Sequence, residues 1–288
     1  MLFARYNICV IPAFAGITRV AVIRCKKIKT AHPASIFLHL SILIYLQTMS
    51  QKPFLHTVLS PKLLNLYDVA NSVAVIIDVF RATSTIATAL YNGADKIIPV
   101  ASVEDCINIG KNLRAITAGE RDGKVIPGLQ YGNSPAEYPR EFIEGKTLVL
   151  TTTNGTKLLH MALTNGADEV ITGSFPNLDA VCDFLIKKKK NVILGCSAWK
   201  DKFNLEDTLF AGAVISKVKE HFTIHCDSSL IAEDMYTVHK NDMYSLIRKT
   251  THWHRLSAYG LEKDLEYCVT ENVANVLPLY RNGALIAG

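Results

Sequence analysis

SVAVIIDVFRATST (residues 72–85) is the stretch on which the fold turns. After Ser72 the residues up to 77 are apolar and mostly β-branched. A strand with one wet face alternates apolar and polar residues, so this unbroken run reads as a strand buried on both faces of a parallel sheet. The run stops at Asp78. Residues 84–91 (STIATALY) follow with helical spacing, and Asn92-Gly93 supplies the C-terminal cap. Residues 96–100 (KIIPV) read as the next strand and 102–113 as the next helix, with Ser102 as N-cap and Asp105 at the third helical position.

A second block repeats this order. Residues 146–150 (KTLVL) read as a strand, TTTNGT (151–156) as a loop, 157–163 as a helix capped by Asn165-Gly166, and 169–172 as a strand. A shift of 73 residues lays Asn92-Gly93-Ala94-Asp95 on Asn165-Gly166-Ala167-Asp168 and Asp78 on Thr151, which points to an internal duplication of a βα unit. A third unit comprises a strand at 191–196, a loop at 197–204 and a helix at 205–218; helices are expected at 229–238, 243–253 and 262–268. Gly, Pro and Ser never gather into a linker. Residues 49–288 are therefore expected to form one α/β domain, a three-layer α/β/α sandwich around a largely parallel sheet. Ligands of such sheets bind outside the carboxyl ends of the strands, where the polar loops fall.

The chain of 288 residues is 49% hydrophobic and 20% charged, which excludes disordered and collagen-like classes. Its net charge of +5 is misleading as a hint of nucleic acid. Six of the 31 basic residues lie in 1–48, which has no Asp or Glu, so 25 basic groups face 26 acids in the remainder. Residues 35–46 (SIFLHLSILIYL) are too short for a membrane span and lack a small-residue cleavage site. We therefore read 1–48 as an extension created by an early start, with Met49 as initiator, and expect neither membrane nor nucleic-acid binding. Two of the seven cysteines lie in that segment, and the other five show no C-x-x-C spacing, which speaks for a reducing, cytoplasmic setting. Lys187–190 reads as a solvated turn, and His221 with His225 as surface residues without a carboxylate partner.

Dinucleotide, P-loop, serine-elbow and H-E-x-x-H motifs are absent. What remains is polar clusters at strand ends. Asp78 stands at the tip of a buried strand, Arg81 three residues on, and Thr83, Ser84 and Thr85 enter a helix N-terminus, which attracts anions. A cap by Thr83 or Ser84 and an Asp78–Arg81 pair would explain part of this loop, but not all its groups together. Thr151, Thr152, Thr153, Asn154, Gly155 and Thr156 offer hydroxyl, amide and backbone donors suited to a phosphate or sulfonate. Glu120 and Arg121 read either as a surface pair or as an acid and an anion clamp, with Asn133 and Ser134 in a second loop between the units. Glu206 and Asp207 read either as first-turn acids behind an Asn204 cap or as ligands for Mg²⁺, a hard cation that takes oxygens. Anion donors beside carboxylates suit metal-assisted phosphoryl chemistry. A haloacid-dehalogenase mechanism is disfavoured, because Phe80 stands where its D-x-D pattern needs Asp.

In this order, IDVFRATST (77–85), AGER (118–121), GNSP (132–135), TTTNGT (151–156), GSFPN (173–177) and LEDTLFAG (205–212) resemble the 2-phosphosulfolactate phosphatase family, Mg²⁺-dependent acid phosphatases linked to coenzyme M biosynthesis. The resemblance spans about 58–280. Departures are the Cys196-Ser197-Ala198-Trp199 loop and Phe210, neither of which removes a charged group. The resemblance implies hydrolysis of (2R)-2-phospho-3-sulfolactate, a small substrate carrying phosphate, sulfonate and carboxylate, and it leaves a homodimer open. On that footing we expect Glu206 and Asp207 to hold Mg²⁺, with Asp78 or Glu120 as further ligand, base or nucleophile. A phosphatase for another phosphorylated hydroxy acid and a non-catalytic binder of anionic metabolites stay open beside it.

Overall fold

The structure, a computed structural model, describes residues 52–121 and 123–288. The continuous apolar run becomes β2 (Val73–Ile77), and all five of its residues are buried. Val73, Val75 and Ile77 point into one apolar cluster, while Ala74 and Ile76 point into another on the opposite face. Burying a Val or Ile side chain stabilises the fold by about 1.5–3 kcal/mol, and only a strand covered on both sides makes use of that at every position.

Among the described residues ten strands form one sheet in the order β1-β8-β2-β7-β9-β10-β3-β6-β4-β5. They are β1 (Leu55–Val58), β2, β3 (Lys96–Pro99), β4 (Ile116–Arg121), β5 (Lys124–Val125), β6 (Thr147–Thr151), β7 (Glu169–Gly173), β8 (Val192–Cys196), β9 (Pro278–Arg281) and β10 (Ala284–Ala287). Two parallel blocks, β1-β8-β2-β7 and β3-β6-β4, are joined by the antiparallel hairpin β9–β10. Helices α1 (Ala82–Tyr91) and α4 (Gly155–Thr164) cover one face of the sheet. On the other face α2 (Val103–Leu113) packs near β6, and α5 (Leu178–Lys188), α6 (Leu205–Val218) and α7 (Asp227–His239) pack on the first block. The expected three-layer α/β/α sandwich is what the chain forms. A short α3 (Arg140–Ile143) leads into β6.

The two βα units cross one another. β2 leads through α1 to β3 in the second block, and β6 leads through α4 to β7 in the first, so β2 pairs with β7 and β3 with β6. The 73-residue shift carries α1 onto α4 residue for residue. The caps match too: Asn92 N–H donates to Thr88 O at 2.9 Å and Asn165 N–H to Met161 O at 3.0 Å, while Gly93 and Gly166 take φ of +95° and +80°. The crossing brings the two helix N-termini together. A Cβ placed on Gly155 would lie 3.5 Å from Ala82 Cβ and 3.1 Å from Asp78 Oδ2.

Two expectations for the C-terminal third need correction. The single helix expected over 243–253 is broken into α8 (Met243–Ile247) and α9 (Thr251–Ser257), because the Thr250 hydroxyl caps a fresh start by accepting Trp253 N–H. α10 (Glu262–Cys268) follows as expected. Residues 278–287, to which no element was assigned, form the β9–β10 hairpin around Asn282-Gly283, whose φ values of 49° and 87° are those a tight hairpin turn requires. Residues 52–288 form one compact unit, and the reading of 1–48 lies outside the described residues. Among the described residues no helix is long and apolar enough to cross a membrane, and five cysteines are free.

Candidate active site

The loop after β2 is stitched by its own hydroxyls rather than capped by them. Thr83 Oγ1 accepts the Asp78 N–H at 3.1 Å, Ser84 Oγ donates to Val79 O at 2.9 Å, and Thr85 Oγ1 donates to Asn133 O at 3.1 Å. No side chain caps α1, whose N-cap is Arg81. The Asp78–Arg81 pair of the simpler reading does not form: Arg81, 5% exposed, is ion-paired with Asp264 of α10. Ser134 Oγ donates to the other oxygen of Asp264 at 2.9 Å, so one carboxylate ties the α1 start to the 132–135 loop.

Asp78 is thereby left over the helix N-termini. Burial, then the neighbouring Glu120 and Glu206, push its carboxyl up to about 7, although His252 and the Ala82 N–H pull it down. A carboxyl with that affinity for a proton exchanges it near neutrality.

The second loop is held from β4. Glu120 Oε1 accepts Thr153 Oγ1 at 3.1 Å and Thr153 N–H at 3.4 Å, and its Oε2 accepts Gly123 N–H at 2.8 Å. Arg121 lies alongside, donating to Glu120 O at 2.8 Å and to Thr151 Oγ1 at 3.3 Å. No side chain caps α4, and Thr156 Oγ1 donates back to Thr152 O at 2.9 Å. Glu120 and Arg121 are therefore a strut for the second loop, not an ion pair.

Glu206 and Asp207 open α6 beneath Asp78, at 0% and 1% exposure. Asp207 Oδ1 accepts Val79 N–H at 2.9 Å and its Oδ2 accepts Ala198 N–H at 3.2 Å, joining the loops after β2 and β8. Burial and the charges of Glu206 and Asp78 hold its carboxyl well above the usual carboxylate range. Glu206 Oε1 meets His252 Nδ1 at 2.5 Å, while Glu206 Oε2 is buried without a partner. Asn204 makes no side-chain cap.

These elements enclose a cleft of about 390 Å³. Asp78, Arg81, Glu120, Asn133, Thr153 and Asn154 line it, and the Asn133 Oδ1 in its wall is buried without a partner. Arg121, Ser134, Thr151, Glu206 and Asp207 stand behind the lining. Thr152, Gly155 and Thr156 line instead a second, mostly apolar space of about 300 Å³ between α1 and α4. Sequence reasoning did not nominate Trp199, His252 and Arg255, which also line the cleft, or Asp264. Trp199 lies in the loop after β8, and nothing in residues 243–268 marked His252, Arg255 and Asp264 except a polar helix face.

Among the described residues no three His, Cys, Asp or Glu side chains form a ready metal cage. Mg²⁺ does not need one, since it keeps several waters and takes one or two carboxylates. The buried, unpartnered Glu206 Oε2 and the mutually repelling acids around Asp78 fit such an ion, because a cation relieves the repulsion and supplies the missing partner.

Comparison with known proteins gives a consistent result. A family model described as 2-phosphosulpholactate phosphatase matches residues 58–283. A probable 2-phosphosulfolactate phosphatase of Thermotoga petrophila is 41% identical over 213 residues, 74% of this chain and 91% of the relative. One of Caldanaerobacter subterraneus is 36% identical over 80% of this chain and 96% of the relative, and one of Clostridium perfringens 36% identical over 74% and 87%.

Proposed function

The chain belongs to the 2-phosphosulpholactate phosphatase family, and from that premise we propose that it is a phosphoric monoester hydrolase that uses Mg²⁺ to convert (2R)-2-phospho-3-sulfolactate to 3-sulfolactate and phosphate. One observation carries this reading: the residues that cap the two crossed helices, Arg81 and Asn154, line one cleft, and a carboxyl raised to about 7 lines it with them. Helix N-termini offer backbone donors and a positive field to an anion. A phosphorylated acid entering the cleft would meet the Thr153 and Asn154 edge of the second loop on one side and Asp78 on the other.

Asp78 and Glu206 Oε2 are the oxygens that would hold Mg²⁺, with Asp207 shaping the backbone around them through Val79 and Ala198. A bound Mg²⁺ polarises phosphoryl oxygens and offsets the charge that develops in the transition state. Asp78 either takes a proton from the attacking water as a general base or, in its ionised form, attacks phosphorus itself. Arg81, held rigid by Asp264, presents positive charge at the start of α1. We further read the protein as cytoplasmic, where its free cysteines stay reduced.

The test is phosphate release from 2-phosphosulfolactate by the full chain, with Mg²⁺ and with excess chelator. Release that stops with chelator and returns with Mg²⁺ is expected. Preferred turnover of phospholactate or phosphoglycolate would move the substrate assignment, and failure to cleave any ester would leave a binder of anionic metabolites.

A further inference from the structure

Apart from Arg81, the cleft is lined by a second guanidinium that plays no part in the chemistry above. Arg255 of α9 lies with its guanidinium carbon 3.8 Å from the centre of the Trp199 ring. Both residues line the cleft, on elements that follow separate strands or helices of the fold. Stacking on an indole fixes the plane of a guanidinium and hence the direction of its N–H edges, and a guanidinium so oriented matches the oxygens of an acid group. Asp78 and Glu120 bring negative charge to the same cleft. A substrate with acid groups besides its phosphate therefore needs a cation to set against those carboxylates.

We propose that Arg255, oriented by Trp199, is a specificity-determining residue that binds a non-reacting acid group of the phosphorylated substrate. This rests on the phosphatase reading above and names which part of the substrate one side chain reads. The relevant chemistry is shared by a sulfonate and a carboxylate, and the substrates chosen for the test tell them apart.

The experiment compares kcat/KM of wild type, Arg255→Gln and Trp199→Leu on 2-phosphosulfolactate, on 2-phospholactate, which lacks the sulfonate, and on isopropyl phosphate, which lacks both acids. In Arg255→Gln the ratio of phosphosulfolactate to isopropyl phosphate should fall about 30-fold, the effect of losing a charge-assisted contact. Trp199→Leu should shift the same ratio in the same direction by less. If the loss persists on phospholactate the carboxylate is the group bound; if it disappears the sulfonate is. An unchanged ratio in Arg255→Gln overturns the proposal, whatever the absolute rates. Should wild type cleave none of the esters, the phosphatase reading fails separately, and calorimetric binding of 3-sulfolactate against isopropanol decides the subsite: equal binding of 3-sulfolactate by wild type and Arg255→Gln overturns it.

Discussion

The βα unit that begins at β2 and the one that begins at β6 share a backbone but not a chemistry. α1 and α4 start, run and end in step, down to the Asn-Gly cap. The sheet also pairs the units with each other, β2 on β7 and β3 on β6. Where the first loop has Asp78 and Arg81, the second has Thr151 and Asn154. One helix start is equipped to exchange protons and meet charge, and the other only to donate hydrogen bonds. Repetition supplies the two converging N-termini, and divergence at two positions supplies the reactivity.

The comparison breaks first at Asp78. Asp78→Asn should lower kcat for phosphate release by about 10³-fold or more, while Thr151→Val at the matching position should change it by less than about tenfold; similar losses in both would show that the loops share the chemistry. Next comes Arg81. Arg81→Ala strands the Asp264 carboxylate in a buried setting and should cost about 3–5 kcal/mol in urea unfolding, against less than about 1 kcal/mol for Asn154→Ala. Equal costs would mean that the ion pair with α10 carries no structural role.

A third contrast concerns pH. The Asp78 carboxyl is raised from 3.8 to about 7 in the fold. Between those values the unfolded chain has lost the proton that the folded chain keeps, so the metal-free protein loses stability as pH rises through that window and levels off above it. Thermal unfolding without Mg²⁺ between pH 5 and 7 should show this decline, and Asp78→Asn should make it shallower, leaving the part that the buried Asp207 carboxyl contributes. An equally steep decline in the variant would assign the titration elsewhere.

The smallest effect lies where the helix starts meet. Gly155 matches Ala82 under the 73-residue shift, and a methyl on Gly155 would press on Asp78 Oδ2 at 3.1 Å. Gly155→Ala should slow turnover by about threefold to tenfold through a displacement of a few tenths of an ångström. Ala82→Gly should cost only about 0.5 kcal/mol of stability. A Gly155→Ala variant with unimpaired turnover would show that Asp78 has room to move.

Much of this was legible in the residues. The unbroken run at 72–77 gave β2, and the Asn-Gly repeats gave both helix ends, because buried strands and glycine caps are local constraints. Ser102 caps α2 by accepting Asp105 N–H at 2.9 Å, as its spacing implied. The Asn282-Gly283 turn is an equally local signal, the one that marks the β9–β10 hairpin. What local pattern could not give is partnership. Asp264 is 183 residues from Arg81, and His252 is 46 from Glu206. Nothing in the periodicity of an amphipathic helix says which distant carboxylate its polar face will meet. The roles of Glu206 and Asp207 divided for the same reason. Adjacent acids look alike in sequence, yet one accepts two backbone N–H groups and the other faces a histidine with one oxygen unmatched.

The β9–β10 hairpin has a consequence for how the chain is made. It is the last pair of elements in the sequence, yet it sits in the middle of the sheet, between β7 and β3. During synthesis the strands on either side are complete long before their neighbour arrives, and each shows an unpaired edge to the cell. Only when residues 278–287 have left the ribosome can the two half-sheets be zipped into one. The nascent protein must stay soluble through that interval, so chaperone demand should track the emergence of this hairpin rather than chain length.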